Sequence, residues 1–311
     1  MRWKPGQGRS DNIEDRRGSS AGGLGGLGGL IPGGGKGGGV IGIVVLLAVF
    51  LLGGRSCLSD GSGGDSASGG LDIEAINDIL SQFSPAGGAA AGEDPLDPAD
   101  DPDANTVDFV SFVLDDVQGF WGGYFDDAGE NYPDAELVLF RNSVQSGCGP
   151  ASAATGPFYC PVDSKAYIDL AFFRELTDRF GAPGDFAQAY VLAHELGHHV
   201  QNVLGINAEV QRLGQQDPDR VNELSVRLEL QADCFAGVWA HSAFQRDLLS
   251  DGDLEEGIDA AGAVGDDRLG VDSPESFTHG TSEQRVHWLR TGYETGDVQS
   301  CDTFSLDESE L

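Results

Sequence analysis

The sequence predicts a mostly helical α+β fold with a small sheet, preceded by a single N-terminal transmembrane helix and disordered linkers. Apolar residues recur at helical spacing over long segments between residues 105 and 303. Three short apolar runs of strand-forming residues lie among these segments, and residues 37–54 carry no charge. The chain of 311 residues therefore divides into an N-terminal third without a core and one globular domain.

Residues 1–36 are predicted to be a flexible, basic tail, because six basic residues stand there among Gly-Gly-Leu repeats. Val40–Leu52 is apolar apart from Gly42. As a helix rising about 1.5 Å per residue, residues 37–54 would nearly cross a hydrocarbon core of about 30 Å. A buried soluble helix is the alternative. We predict a signal anchor at 37–54, with the basic tail cytoplasmic and the domain extracytoplasmic.

Residues 55–104 are predicted to be an acidic linker rich in Gly, Ser and Pro, and residues 304–311 an acidic tail. The chain has 51 acidic and 18 basic residues, a formal net charge of −33. Nucleic acid is therefore not an expected partner. We interpret the acidity as a surface kept soluble by repulsion, which would also suit high salt; attraction of basic peptides is the alternative.

The domain opens with a helix, continues through short strands and closes with more helices. In chain order, the predicted elements are a helix opening at Asn105–Thr106, strands at Glu136–Phe140, Phe158–Cys160 and Lys165–Leu170, a helix at Ala171–Phe180, a helix around residues 186–200, and a long helix from Asp219 to about Leu249.

The helix around residues 186–200 contains the pattern H-E-x-x-H. On a helix, His194 and His198 share one face with Cβ atoms about 5–6 Å apart, so both can bind one zinc ion. Glu195 lies slightly around the helix, where it can take a proton from zinc-activated water as general base. His199 projects to another side and is predicted not to be a ligand; it either supports a ligand or faces solvent. The alternative is an amphipathic helix that carries these residues by chance.

A two-histidine site lacks one protein ligand, and the long helix that follows offers a carboxylate. Glu229 is predicted to be the third ligand. Asp233 lies one turn further on and is predicted to accept the free N–H of a ligating histidine. Both could instead be surface acids, but their face is apolar, and unpaired buried carboxylates are costly. The zincin pattern with a third histidine six residues after His198 is excluded, since Leu204 occupies that position and Gln201 replaces the required glycine.

A donor for the developing oxyanion must come from outside the helix that carries His194 and His198. His279 is the best candidate, because Thr281 and Gln284 form a capping-box pattern that would hold the preceding loop in place. Arg285 is the alternative donor. A purely structural role at this helix start is the competing interpretation of His279.

Five cysteines are present, and none forms a C-x-x-C pattern. In an oxidising exterior the simplest accounting is two disulfides, Cys148 with Cys160 and Cys234 with Cys301, and a leftover Cys57.

Taken together, the basic tail, the single anchor, the acidic spacer, His194–Gln201, Glu229–Trp239 and Thr278–Arg285 resemble the bacterial family of putative neutral zinc metallopeptidases. The resemblance covers roughly residues 105–303. It implies a zincin-like core with His194, His198 and Glu229 as ligands and Glu195 as the base, and it implies no particular substrate.

The function expected from the sequence is that of a membrane-anchored, gluzincin-like zinc endopeptidase with one Zn²⁺ per chain, which hydrolyses peptide bonds outside the cytoplasmic membrane. An edge strand of the small sheet is hypothesised to pair with extended peptide substrate. A non-catalytic binding module stapled by zinc and a zinc amidase acting on cell-wall peptides are the alternatives. Glu195 discriminates against the first, since a structural site needs no base.

Overall fold

The computed structural model describes residues 1–5, 8–18, 101–271, 273–307 and 310–311. In this part the chain folds as a mostly helical α+β structure with two small sheets. The strands are β1 (Ile13–Asp15), β2 (Glu136–Phe140), β3 (Ser143–Ser146), β4 (Gly149–Ser152), β5 (Phe158–Cys160) and β6 (Lys165–Asp169). The helices are α1 (Ala104–Ala128), α2 (Ala171–Asp178), α3 (Asp185–Val203), α4 (Ile206–Gln216), α5 (Val221–Gln245), α6 (Asp253–Ala263), α7 (Asp266–Leu269) and α8 (Ser282–Thr295).

The larger sheet has the order β1-β2-β6-β5, with β1, β2 and β6 parallel and β5 antiparallel to β6. Successive side chains of a strand point to opposite faces. Leu137 and Leu139 of β2 accordingly join the main helical core, while Val138 and Phe140 pack in a second cluster with Tyr167. Both faces of β2 and β6 are therefore buried, which explains why these strands are apolar without strict alternation.

Helices α3, α5 and α8 approach one another closely at glycines. A Cβ added at Gly197 of α3 would lie 3.0 Å from the carbonyl oxygen of Ala232 in α5. One added at Gly292 of α8 would lie 2.0 Å from the carbonyl oxygen of Cys234, also in α5. Helix α5 thus lies between α3 and α8, and its backbone approaches both more closely than a side chain at these positions would allow.

Both predicted disulfides are confirmed. Cys148 pairs with Cys160, which ties the β3–β4 turn to the end of β5, with Cα atoms 5.8 Å apart. Cys234 pairs with Cys301 across 67 residues, with Cα atoms 5.5 Å apart. The second disulfide joins α5 to the chain beyond α8.

The predicted strands are confirmed, although β6 ends at Asp169, one residue before the predicted Leu170. The capping box is also confirmed: the Thr281 hydroxyl accepts from the Gln284 backbone N–H, and the Gln284 side chain accepts from the Thr281 backbone. The ends of three helices differ slightly from the predicted ones. Helix α1 begins at Ala104, α2 ends at Asp178, and α5 begins at Val221 after a 3₁₀ turn and ends at Gln245.

The N-terminal residues differ from the predicted flexible tail wherever the structure describes them. Strand β1 pairs in parallel with β2, so that Glu14 lies opposite Val138. The buried guanidinium of Arg17 donates to the carboxylate of Asp101 over 2.6 and 3.1 Å. A three-residue polar strand has no hydrophobic periodicity, so nothing local in the sequence could indicate this pairing.

The predicted membrane topology is wrong. Because residues 1–5 and 8–17 lie against the domain, with Trp3 packed 5.2 Å from the ring of Phe109, a membrane cannot separate the two as predicted. Across the described ranges, no helix has the length and apolarity that a bilayer span requires. The predicted anchor at 37–54, most of the linker at 55–104 and Cys57 lie outside those ranges.

Candidate metal centre

Three side chains that could bind one metal ion converge where α3 packs on α5. His194 and His198 stand one turn apart on α3, and Glu229 comes from α5. Their candidate ligand atoms all lie within 4.8 Å of one another. His194 Nε2 is 3.1 Å from one carboxylate oxygen of Glu229, and His198 Nε2 is 3.5 Å from the other. His194 and Glu229 are buried, and His198 is the most exposed of the three.

These distances fit a tetrahedral zinc ion. With zinc–ligand bonds of about 2.0–2.2 Å, two ligands of a tetrahedron are about 3.3–3.6 Å apart. The proton positions agree, because each histidine donates its Nδ1–H to an oxygen 2.8 Å away, which leaves Nε2 with a lone pair facing Glu229. Two lone pairs at 3.1 Å repel unless a cation or a proton lies between them. The donors present therefore suit a metal ion.

Asp233 is the hydrogen-bond partner that orients His194. Its carboxylate has no exposed surface and accepts from His194 Nδ1 at 2.8 Å and from the Tyr190 hydroxyl at 2.6 Å. Arg285 of α8 donates to both oxygens, from Nε at 2.8 Å and from a terminal nitrogen at 2.9 Å. Burial opposes ionisation, but Arg285 and His194 outweigh it and lower the pKa of Asp233 to about 2. Asp233 is therefore a carboxylate that fixes the imidazole of His194.

The same groups make the centre favourable for positive charge. Burial disfavours a charged imidazole, yet Asp233 and Glu229 raise the pKa of His194 to about 9. Burial likewise opposes ionisation of Glu229, but His198 and His279 hold its pKa well below the ordinary value. A cation bound between His194 and Glu229 would be stabilised by the same two carboxylates.

His198 has a different kind of support. Its Nδ1–H donates to the side-chain oxygen of Gln201, which is fully buried one turn further along α3. The Gln201 amide nitrogen donates to the Leu228 carbonyl at 2.8 Å and to the Gln231 side-chain oxygen at 3.1 Å. Gln201 was not predicted from the sequence to support His198, although its spacing of three residues from His198 was a usable signal.

Glu195 is buried beside the metal ligands. Burial raises the pKa of its carboxyl group, and the neighbouring His194 and His198 lower it only in part. In the part of the chain that the structure describes, its carboxylate makes no hydrogen bond. A carboxylate in such an environment is a stronger proton acceptor than one in water, which suits a general base.

His279 lies close enough to the centre to interact with Glu229. Its Nδ1–H donates to Asp266 at 3.1 Å, so its Nε2 is available for another partner. Burial opposes its protonation, but Glu229 and Asp266 outweigh this and raise the pKa of His279. The other oxygen of Asp266 accepts the backbone N–H groups of residues 278–280. Asp266 was not predicted from the sequence as a partner of His279, because the separation of the two residues shows no regular period.

Arg285, the alternative oxyanion donor, is engaged elsewhere. Its nearest nitrogen is 4.0 Å from Glu229, and the guanidinium also donates to the Tyr190 hydroxyl at 3.2 Å. Together with the two bonds to Asp233, these contacts direct Arg285 toward the support of His194.

His199 is not brought to the metal ligands. Its Nε2–H donates to the Pro133 carbonyl at 2.6 Å, and its Nδ1 accepts from the Tyr159 hydroxyl at 2.9 Å. The prediction that it could face solvent is wrong, because the side chain is buried. Tyr159 belongs to β5, so His199 ties the metal helix to the end strand of the sheet.

Comparison with known proteins gives two kinds of match. A family model described as “Putative neutral zinc metallopeptidase” matches residues 1–304. The chain is 44% identical over 313 residues to the uncharacterised protein YpfJ of Escherichia coli strain K12, covering 98% of this chain and 99% of that protein. It is 47% identical over 190 residues to the uncharacterised protein Mb2605 of Mycobacterium bovis, covering 56% and 64% respectively. No solved structure matches the chain.

Proposed function

The chain belongs to the family described as “Putative neutral zinc metallopeptidase”, and on that premise we propose that it hydrolyses peptide bonds with one zinc ion per chain. The observation that carries the proposal is the convergence of His194, His198 and Glu229. Two histidines and a glutamate with a fourth position open to water are a catalytic rather than a structural donor set, as in gluzincins.

When bound, zinc supplies a Lewis acid and lowers the pKa of a coordinated water to about 7. Glu195 takes a proton from the attacking water and delivers it to the leaving amine. Because burial raises its pKa, Glu195 accepts that proton more readily than an exposed glutamate would. Asp233 holds His194 in the tautomer that leaves Nε2 free.

His279 has the role of stabilising the negative charge that develops on the substrate carbonyl oxygen. Asp266 holds its Nδ1–H and the backbone around it, which would keep Nε2 in one orientation. A donor fixed before the reaction costs no reorganisation when the charge develops.

The end strand β5 supports an extended peptide as the substrate. Among the described strands it pairs only with β6, so its outer edge is open to an added strand. The side chain of Asn202, on the last turn of α3, donates to the Tyr159 hydroxyl at 3.0 Å. This bond and the one from Tyr159 to His199 hold β5 against the metal helix, so a peptide added to that edge would run beside α3.

The burial of Glu195 favours catalysis over a zinc site that only staples two helices. Glu195 is 8% exposed, and burial disfavours the charged form of its carboxyl group, so placing it there has a free-energy cost. A structural site would gain nothing from that cost, whereas a base beside the reacting water requires the position.

The test uses the purified full chain and its Glu195→Gln variant. We expect about one zinc per chain in both by elemental mass spectrometry, with cleavage of a peptide library by the wild type alone. Amide substitution keeps the shape of Glu195 but removes its basicity. Cleavage of cell-wall peptides with no cleavage of linear peptides would favour the amidase. A zinc-free wild type, or equal peptidase activity in the variant, would refute the proposal.

A further inference from the structure

A line of buried hydrogen bonds connects His198 to a distant part of the chain. His198 donates to Gln201, Gln201 donates to Gln231 at 3.1 Å, and Gln231 donates to the backbone carbonyl of Cys301 at 2.9 Å. All members except His198 are buried. The line leaves α3, crosses α5 and ends in the segment that follows α8.

The Leu228 carbonyl determines which atom of the Gln201 amide donates and which accepts in these hydrogen bonds. The Leu228 backbone carbonyl can only accept, and it receives a hydrogen bond from Gln201. The amide nitrogen of Gln201 must therefore face α5, and its oxygen must face His198. This orientation requires the proton of His198 to be on Nδ1, which leaves Nε2 for a metal ion.

The far end of the line is fixed covalently. Cys301 is bonded to Cys234, the residue that follows Asp233 in α5. Around it, the Thr303 hydroxyl donates to the Arg227 carbonyl at 2.8 Å, and the Arg227 guanidinium donates to the Thr303 carbonyl. The segment that receives the hydrogen bond from Gln231 is thus held against the helix that carries Glu229.

We propose that Gln201 and Gln231 are positioning residues for His198, and that the segment anchored by the Cys234–Cys301 disulfide sets the strength of zinc binding through them. The proposal rests on the proposed function, because it requires the centre to bind zinc. A ligand histidine that loses the acceptor at its second nitrogen can rotate or change tautomer, and such losses typically weaken metal affinity about 10–100-fold.

The test measures the zinc dissociation constant of the full chain by competition with a chromophoric chelator, at a temperature where every variant is folded. Gln201→Met should weaken binding about 10–100-fold, because methionine keeps the volume and loses both hydrogen bonds. Gln231→Met and the double variant Cys234→Ala/Cys301→Ala should weaken it less, on the order of tenfold, since they remove links further from the metal.

The chain offers matched controls. Gln118 of α1 is a buried glutamine that accepts a hydrogen bond from the Ala135 N–H, away from the metal ligands. The Cys148–Cys160 disulfide belongs to the sheet layer. Gln118→Met and Cys148→Ala/Cys160→Ala should lower the melting temperature of the metal-free protein and leave the zinc dissociation constant within about twofold, since neither touches a group that supports a ligand.

The outcomes separate this proposal from the proposed function. A wild type that binds no zinc refutes the proposed function. A wild type that binds zinc, together with unchanged affinity in Gln201→Met, overturns the positioning role alone. If Gln201→Met does not fold, Gln231→Met and the Cys234/Cys301 variant decide. Equal weakening in the two disulfide variants would also overturn the proposal. Substitution with Co²⁺ adds a second measurement: its visible spectrum, which reports ligand geometry, should change in Gln201→Met and not in Gln118→Met.

Discussion

His194 and His198 lie one helical turn apart and both turn Nε2 toward Glu229, yet their surroundings differ. His194 donates to a carboxylate, Asp233, which is itself held by the guanidinium of Arg285. His198 donates to a neutral amide, Gln201, whose hydrogen bonds continue into backbone carbonyls. One ligand is supported by buried charges and the other by buried amides.

The two kinds of support should respond differently to mutation. A buried ion pair loses about 3–5 kcal/mol when one partner is removed, because the other charge remains uncompensated. A neutral hydrogen bond typically contributes about 0.5–1.5 kcal/mol, so its removal is milder for folding. Loss of the charged support of His194 should therefore weaken both zinc binding and the fold. Loss of the amide support of His198 should weaken zinc binding while the fold stays intact.

The largest effect should come from the ligands themselves. His194→Gln or His198→Gln should each empty the site, because two protein ligands rarely retain zinc. The matched control is the next residue, as His199→Gln keeps a donor toward Pro133 and should leave zinc content unchanged. Elemental mass spectrometry after dialysis measures this. An empty site in the His199 variant would contradict the assignment of ligands.

His279 extends the comparison to a third histidine, which is paired with a carboxylate as His194 is. His279→Ala should lower kcat about 10²–10³-fold with KM and zinc content little changed, as expected for the loss of one oxyanion donor. The melting temperature should also fall, because the buried carboxylate of Asp266 loses its histidine partner. The control is His287→Ala, at an exposed position of α8. Near-normal kcat, or a loss of zinc that accounts for the lost activity, would make His279 structural and leave Arg285 to be tested.

Asp233→Asn tests the charged support directly. Zinc should bind about 10–100-fold more weakly, and the metal-free protein should lose about 3–5 kcal/mol, since Arg285 stays buried without its carboxylate. Chelator competition and denaturant unfolding measure the two effects. The double variant with Arg285→Gln should recover part of the stability. Simple additivity of the two substitutions would show that the pair is not coupled.

Gly197→Ala should disturb the hydrogen-bond partners of both His194 and His198, because these partners link α3 to α5. The added methyl group would meet the backbone of Ala232 at 3.0 Å and move α3 away from α5. We expect a loss of about 1–3 kcal/mol and weaker zinc binding. Gly119 of α1 is the matched control, as a Cβ there meets nothing within 4 Å. Its change to alanine should stabilise the protein by about 0.5–1 kcal/mol. Equal effects at the two glycines would show that the contact between the helices is not tight.

The smallest effect is expected from Tyr190→Phe. It removes the hydrogen bond that the hydroxyl donates to Asp233 and the one that it accepts from Arg285 at 3.2 Å, and it keeps the bonds of His194 and Arg285 to Asp233. The metal-free protein should lose about 1 kcal/mol, and zinc binding should weaken by less than about tenfold. Both are measured as for Asp233→Asn. A loss as large as that of Asp233→Asn would mean that the hydroxyl, and not the ion pair, maintains the charged support.

Several features could be predicted from local patterns in the sequence. The four-residue spacing of His194 and His198 places both on one helical face, whatever the rest of the chain does. The capping box at Thr281 and the strand at Glu136–Phe140 also depend on neighbours within a few residues, and both were found. The disulfides could be paired because Cys148 and Cys160 bracket a short segment, which leaves Cys234 and Cys301 as the second pair.

Only the tertiary structure decided which distant groups meet. Asp266 holds His279, Gln201 turns its oxygen toward His198, and Arg17 joins Asp101, all through contacts that depend on how helices and strands pack. None of these pairs except His198 with Gln201 shares a helical face or a strand register. A residue's type and its local period predict the face on which it lies, whereas its partner across the core depends on close packing between elements.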